Sequence, residues 1–194
     1  MKTIVTTAIA LTALLAPFQG ASAQSRWSLD LHGGPAFATK DLGDADLGLG
    51  LGGDATLGFR LLPHLWVYGG WGLRQFNAEE SFAGPDIDVE ETGYLFGLRF
   101  EHPLGSSATD LVLRAGGTVN HLELEDDEGD LVADSKHGLG WEVGAGLALP
   151  LGEAWRLTPG VRFRSLSRDI EIGATTTPVD LRYVGLEVGV SRRF

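Results

Sequence analysis

His121 and Glu123 stand two residues apart, and Ser135 and His137 repeat that spacing further along the chain. A serine beside an imidazole that a carboxylate orients is the arrangement that hydrolyses acyl esters: the imidazole takes the hydroxyl proton and the carboxylate fixes its tautomer. Residues two apart share a face only on a strand, so this chemistry needs both pairs on adjoining strands. Around them, Glu123–His137 carries Glu123, Glu125, Asp126, Asp127, Glu128, Asp130 and Asp134 against the single Lys136. A second acidic stretch, Asn77–Glu91, holds Glu79, Glu80, Asp86, Asp88, Glu90 and Glu91 with no basic residue. Carboxylate oxygens take hard divalent cations. The EF-hand order is not met, because Asp126, Asp127, Glu128 and Asp130 lack the alternate-position ligands and the downstream bidentate Glu. No zinc spacing, phosphate loop or dinucleotide fingerprint occurs either. The expectation is a chain with no catalytic residue, no cofactor and no dedicated metal site, its two acidic stretches being solvated loops.

The elements that position these residues are strands. Eight segments alternate in polarity, the signature of strands with one apolar face. The first sets Trp27, Leu29, Leu31 and Phe37 against Ser28, Asp30, His32 and Gly34; the second sets Leu49, Leu51, Ala55, Leu57, Phe59 and Leu61 against Asp54, Thr56 and Arg60. The third opposes Leu65, Val67, Trp71 and Leu73 to Tyr68 and Arg74, and the fourth opposes Tyr94, Phe96, Leu98 and Phe100 to Arg99 and Glu101. Leu111, Leu113, Ala115 and Val119 against Arg114 and Thr118 make the fifth; Leu139, Trp141, Val143, Ala145 and Leu147 against Glu142 make the sixth. The seventh has Trp155, Leu157, Val161 and Phe163 opposite Arg156, Arg162 and Arg164. In the last, Val184, Leu186, Val188, Val190 and Phe194 oppose Gly185, Glu187, Gly189, Ser191 and Arg193. One face is apolar throughout and the other gathers arginines, carboxylates and glycines, as when lipid lies outside and a polar interior within. Short connections at Leu62–His64 and Pro150–Ala154 alternate with longer ones after the first, third, fifth and seventh segments. His102–Asp110 is the exception, longer than a tight turn.

The ends agree with this reading. Lys2, an apolar core Ala8–Leu15 and the small residues Ala21, Ser22 and Ala23 read as a cleaved export signal, which divides the chain into residues 1–23 and a single domain over 24–194. No stretch supplies the roughly 20 apolar residues of a membrane-spanning helix. Cysteine is absent, so no disulfide or thiolate chemistry is available. The formal charge of −11 disfavours nucleic acid as a partner. The alternating terminal strand closing on Phe194, behind an export signal, resembles the assembly signal of bacterial outer-membrane β-barrel proteins; Arg192 departs from that pattern, which usually has an apolar or aromatic residue there. Over the whole mature chain the pattern is similar to the small barrels of the OmpA and OmpX type. The resemblance implies an all-β, eight-stranded antiparallel up-and-down transmembrane barrel in the outer membrane. It also implies partners in outer-membrane lipid, lipopolysaccharide and the barrel assembly machinery, and no enzymatic activity. Barrel-type lipid A deacylases place their His before the Ser, whereas here Ser135 precedes His137.

Turned inward, the polar faces bring Glu142 opposite Arg162 and Arg164, with Glu187 on their other side and Asp54 near Arg74, so an interior charge cluster of these six residues is predicted. Eight strands enclose a lumen just wide enough for side chains to fill, so a paired network should block and not conduct. Outward-facing acidic loops would take cations or basic surface ligands. Envelope integrity or surface interaction and adhesion is the expected role; a narrow channel or a carrier of small apolar molecules is the alternative, and lipid A modification ranks below both.

Overall fold

Each alternating segment becomes a strand in the computed structural model, which describes residues 26–40, 42, 47–81, 84–126, 128, 130–172 and 175–194. The export signal read at residues 1–23 lies outside the described residues. The strands are β1 (Trp27–Lys40), β2 (Leu47–Leu62), β3 (Leu65–Ser81), β4 (Gly84–Pro103), β5 (Asp110–Glu125), β6 (Leu131–Asp134), β7 (Gly138–Pro150), β8 (Trp155–Ile172) and β9 (Thr175–Arg193). All neighbours are antiparallel, in the order β4-β3-β2-β1-β9-β8-β7-β5, and β4 pairs with β5 to close a ring of eight. Closure gives the backbone N–H and C=O groups partners around the ring, the condition for a sheet to cross hydrocarbon. The start of β1 meets the C-terminal residue inside the ladder, Trp27 and Phe194 exchanging backbone hydrogen bonds of 3.1 and 3.0 Å.

The ninth strand, β6, pairs with β5 in line with β7. Glu123 faces Asp134 on β6, whereas Asn120 faces Gly138 on β7, so one extra residue enters the register at Lys136–His137. That is a β-bulge, and its effect is to re-aim the side chains beside it. The two acidic stretches read as loops are strand hairpins instead. Asn77 pairs with Asp88 and Gln75 with Glu90 on β3 and β4, and Glu123 and Glu125 continue β5. They extend because side chains of these segments keep the same alternation, with apolar residues now on the inner face.

That alternation inverts along the strands. In the lower part the outer face is apolar, Leu51 and Tyr94 being 62% exposed and Leu139 74%, while inward positions carry charge. Outward aromatics gather toward the two ends of this band: Trp27, Phe59, Phe100 and Phe194 on one side, Phe37, Trp71, Tyr94 and Trp141 on the other, the girdles of a lipid-spanning barrel. Beyond the second girdle the outer face turns polar (Gln75, Asn77, Glu90, Glu123, Ser167, Asp169) and the inner face turns apolar. There Ala36, Leu42, Phe76, Val89, Leu122, Leu124, Ile170 and Leu181 are fully buried in one cluster. Each buried Leu, Ile or Phe contributes about 1.5–3 kcal/mol, so this end of the barrel is held as a water-soluble β-protein is held. At the opposite end the connections are short: Pro63–His64 is a tight turn, and after His102 the strand runs on to Pro103 before turning at Leu104–Thr109.

Candidate functional site

The inward positions of the lipid-spanning part form a polar column in three tiers. At the inner end Arg99 lies 2.8 Å from Asp30 and 3.1 Å from Glu101 and donates to Ser28 Oγ at 2.9 Å. Glu101 also accepts from Trp66 Nε1 at 3.1 Å and pairs with Arg193 at 2.5 Å. The guanidinium groups of Arg60, Arg99 and Arg193 lie 4.7, 4.8 and 5.2 Å from the Trp66 ring, so one indole serves three cations.

The middle tier is centred on Arg162. It reaches Asp54 and Glu187 at 2.7 Å each and Glu142 at 3.5 Å, and its side chain is 3% exposed. Glu187 is shared with Arg74 at 3.2 Å, and Glu142 with Arg164 at 2.7 Å. Tyr68 donates to Glu142 at 2.9 Å beneath Arg114, whose guanidinium stacks 4.4 Å over the Tyr68 ring. The Tyr68 hydroxyl fits because Gly97 and Gly116 face each other there; a Cβ would stand 2.7 Å from it at Gly97 and 2.8 Å at Gly116. The structure thus brings all six charged residues named from sequence into one linked set centred on Arg162. Arg74 joins it through Glu187, whereas Asp54 pairs with Arg162 and, at 3.4 Å, with His32.

The upper tier holds a residue that sequence reasoning placed elsewhere. Glu91 belongs to the acidic stretch, yet it faces inward, pairs with Arg164 at 2.9 Å and accepts from Tyr183 at 2.6 Å and from Asn120. Arg168 donates to the Asn120 side chain and, at 3.0 Å, to its carbonyl. The signal for Glu91 lies in the alternation of β4, where Val89, Glu91, Leu95, Arg99 and Glu101 share parity, beneath an acidic composition typical of loops. Above Glu91 the rings of Tyr183 and Phe76 lie 5.3 Å apart, and the apolar cluster begins.

Between β7 and β8 the inner face carries Gly144, Gly146 and Gly160, and a niche of about 40 Å³ reaches His32, Arg114 and Glu187 there. That is room for about one or two waters. Pro159 lies in this wall, and the β7–β8 pairing lapses beside it between Gly146–Gly160 and Leu149–Leu157.

The acyl-hydrolysis set does not assemble. Ser135 is 4% exposed and turned inward, its hydroxyl accepting from Leu122 N–H at 2.8 Å and donating to Lys136 C=O at 3.3 Å. His121, Glu123 and His137 face outward. Glu125, on the same outer face, has its carboxyl held above the ordinary range by partial burial and by Glu90, Glu123, Asp88 and Asp126 around it. Asp180 is held low by hydrogen bonds from Lys40 and Ser167.

No curated protein matches the sequence. Among solved structures, Neisserial surface protein A is 16% identical and superposes over 90% of this chain and 100% of its own with a TM-score of 0.61. OprG of Pseudomonas aeruginosa is 15% identical over 88% of this chain and 97% of its own, TM-score 0.57. Outer membrane protein W of E. coli is 13% identical over 89% and 100%, TM-score 0.56. At such identity the likeness is one of fold. The sequence itself matches the outer membrane protein beta-barrel domain over residues 6–194, and with a closed ring, an apolar outer band and a polar column inside, the chain belongs to that family and resides in the outer membrane.

Proposed function

We propose that the protein is a non-enzymatic, non-conducting barrel that presents carboxylate-bearing hairpins at the cell surface, where they engage cationic ligands in surface interaction or envelope integrity. The observation that carries this reading is an interior filled by ion-paired side chains below and apolar ones above, with Glu90, Glu123 and Glu125 on the outer face of the protruding hairpins. A filled lumen favours display over passage. A buried Ser135 offers no nucleophile for acyl transfer.

The test uses the mature chain in proteoliposomes, titrated with fluorescent polylysine at low and at physiological salt. Saturable binding that weakens with salt, and weakens again in a Glu90→Gln, Glu123→Gln, Glu125→Gln variant, supports the reading; binding indifferent to those changes removes it. Planar-bilayer recordings address the alternative. Single-channel current, or uptake of small apolar molecules into loaded vesicles, would favour a channel or carrier and would require the paired column or the apolar cluster to open.

A further inference from the structure

The outer face of β5 and β6 gathers imidazole beside carboxylate, and the display of carboxylates makes no use of the imidazoles. His121, Glu123 and Asp134 each offer a ligand atom, all within 4.8 Å of one another. His121 Nε2 stands 2.9 Å from Glu123 Oε1. On its other side, His121 Nδ1 stands 3.2 Å from His137 Nε2, the two rings 4.4 Å apart.

The backbone is arranged for this. His121 and Glu123 share a face by strand period, but Asp134 and His137 are three apart, a spacing that puts residues on opposite faces of a regular strand. The extra residue at Lys136–His137 restores them to one face, beside His121 and Glu123. Ser135 turns inward in the same irregularity. The nearby cation is directed away, Lys136 Nζ lying 3.2 Å from Glu171. Around the group, Glu90 stands directly across from Glu123 and Asp88 across from Glu125, like charges in positions that repel.

We infer that His121, Glu123 and Asp134 form a binding site for a divalent transition metal of the zinc class, with His137 orienting His121 from behind. Zinc takes nitrogen and carboxylate oxygen at about 2.0–2.2 Å, which places tetrahedral donors about 3.3 Å apart. The 2.9 Å between His121 and Glu123 is near that edge, and exposed Asp134 has the freedom to close. With metal on Nε2, the proton of His121 resides on Nδ1 and is donated to His137, the outer hydrogen bond that metal-bound imidazoles commonly make. The fourth position is open to water. An imidazole in the set selects zinc, copper or nickel over calcium and magnesium, which prefer all-oxygen ligands.

The test is calorimetric titration of Zn²⁺ and, separately, Ca²⁺ into chelator-treated mature protein in detergent micelles, with each variant's folding checked by gel mobility before and after boiling. One Zn²⁺ per chain is expected, bound at least about tenfold more weakly by H121A and by D134N. H137A should weaken binding less than H121A, and Ca²⁺ should bind the unmodified chain and H121A alike. Zn²⁺ uptake absent, or unchanged in folded H121A and D134N, overturns the site.

Discussion

Replacing Arg162 by Met tests whether the column is dry. Arg162 has three carboxylate partners, at 2.7, 2.7 and 3.5 Å, and its side chain is 3% exposed. After the change Glu187 keeps Arg74, and Glu142 keeps Arg164 and Tyr68. Among the described residues Asp54 keeps His32 as its only close partner, with Arg114 acting on it from farther off. Removing one partner of a buried pair costs about 3–5 kcal/mol, because a charge is left without compensation. At about 1.4 kcal/mol per tenfold, the folding equilibrium falls by between about a hundredfold and a few thousandfold. Urea titration of the mature chain in phosphocholine vesicles, followed by tryptophan fluorescence, reads this directly. Adding Asp54→Asn to Arg162→Met removes the stranded charge and should restore at least about 1 kcal/mol. A loss below about 1 kcal/mol, the scale of solvent-screened pairs, would mean that water fills the lumen; it would refute the sealed column and the non-conducting reading with it.

Tyr183→Phe removes the hydroxyl that donates to Glu91 at 2.6 Å and should cost about 1.5–3 kcal/mol in the same titration, as a hydrogen bond to a charged group does. Leu122→Ala, in the apolar cluster, should cost about 2–5 kcal/mol, while Leu139→Ala, on the lipid face, leaves no cavity and should cost less. Gly97→Val should displace the Tyr68 hydroxyl from Glu142 and lower stability by about 1–3 kcal/mol. At the rim, the depressed folded pKa of Asp180 means that its stabilising contact is complete at neutral pH and is lost as the pH falls through the carboxylate range. Lys40→Met should raise that pKa toward 3.8, measured by NMR titration of the carboxyl carbon.

Most of the lipid-spanning ring was legible in the chain, because strand period alone decides which side chains share a face, and only one assignment puts Leu51, Tyr94 and Leu139 in lipid. The partners around Arg162 were less so. Sequence places Asp54 beside Arg74, but the structure sends Asp54 to Arg162 and Arg74 to Glu187, contacts across the lumen that neighbouring-strand parity does not encode. The hairpins pass for loops because their carboxylates, with Gly84 and Pro85, have loop composition; the clue was that Val89, Leu122 and Leu124 continue the alternation, inverted. The bulge at Lys136–His137 had no signal in polarity at all. It decides that Ser135 faces inward and that Asp134 shares the outer face with His137, which a count of residues back from the start of β7 gets wrong.

The inversion of the two faces above the outer girdle turns the surface segments into a rigid relief. A partner that binds flexible loops must first order them, and side-chain and loop ordering consumes part of the interaction energy. Here Gln75 through Ala78 and Ile87 through Glu90 are already laddered over an apolar filling. With a strand rise of about 3.3 Å per residue, they form a stalk that holds its carboxylates at a set height above the bilayer. Recognition by such a surface depends on the geometric match between charges fixed in space. A spacing error in the ligand is therefore penalised in full, so these hairpins should discriminate among polycations by charge interval, where a mobile loop would respond only to total charge.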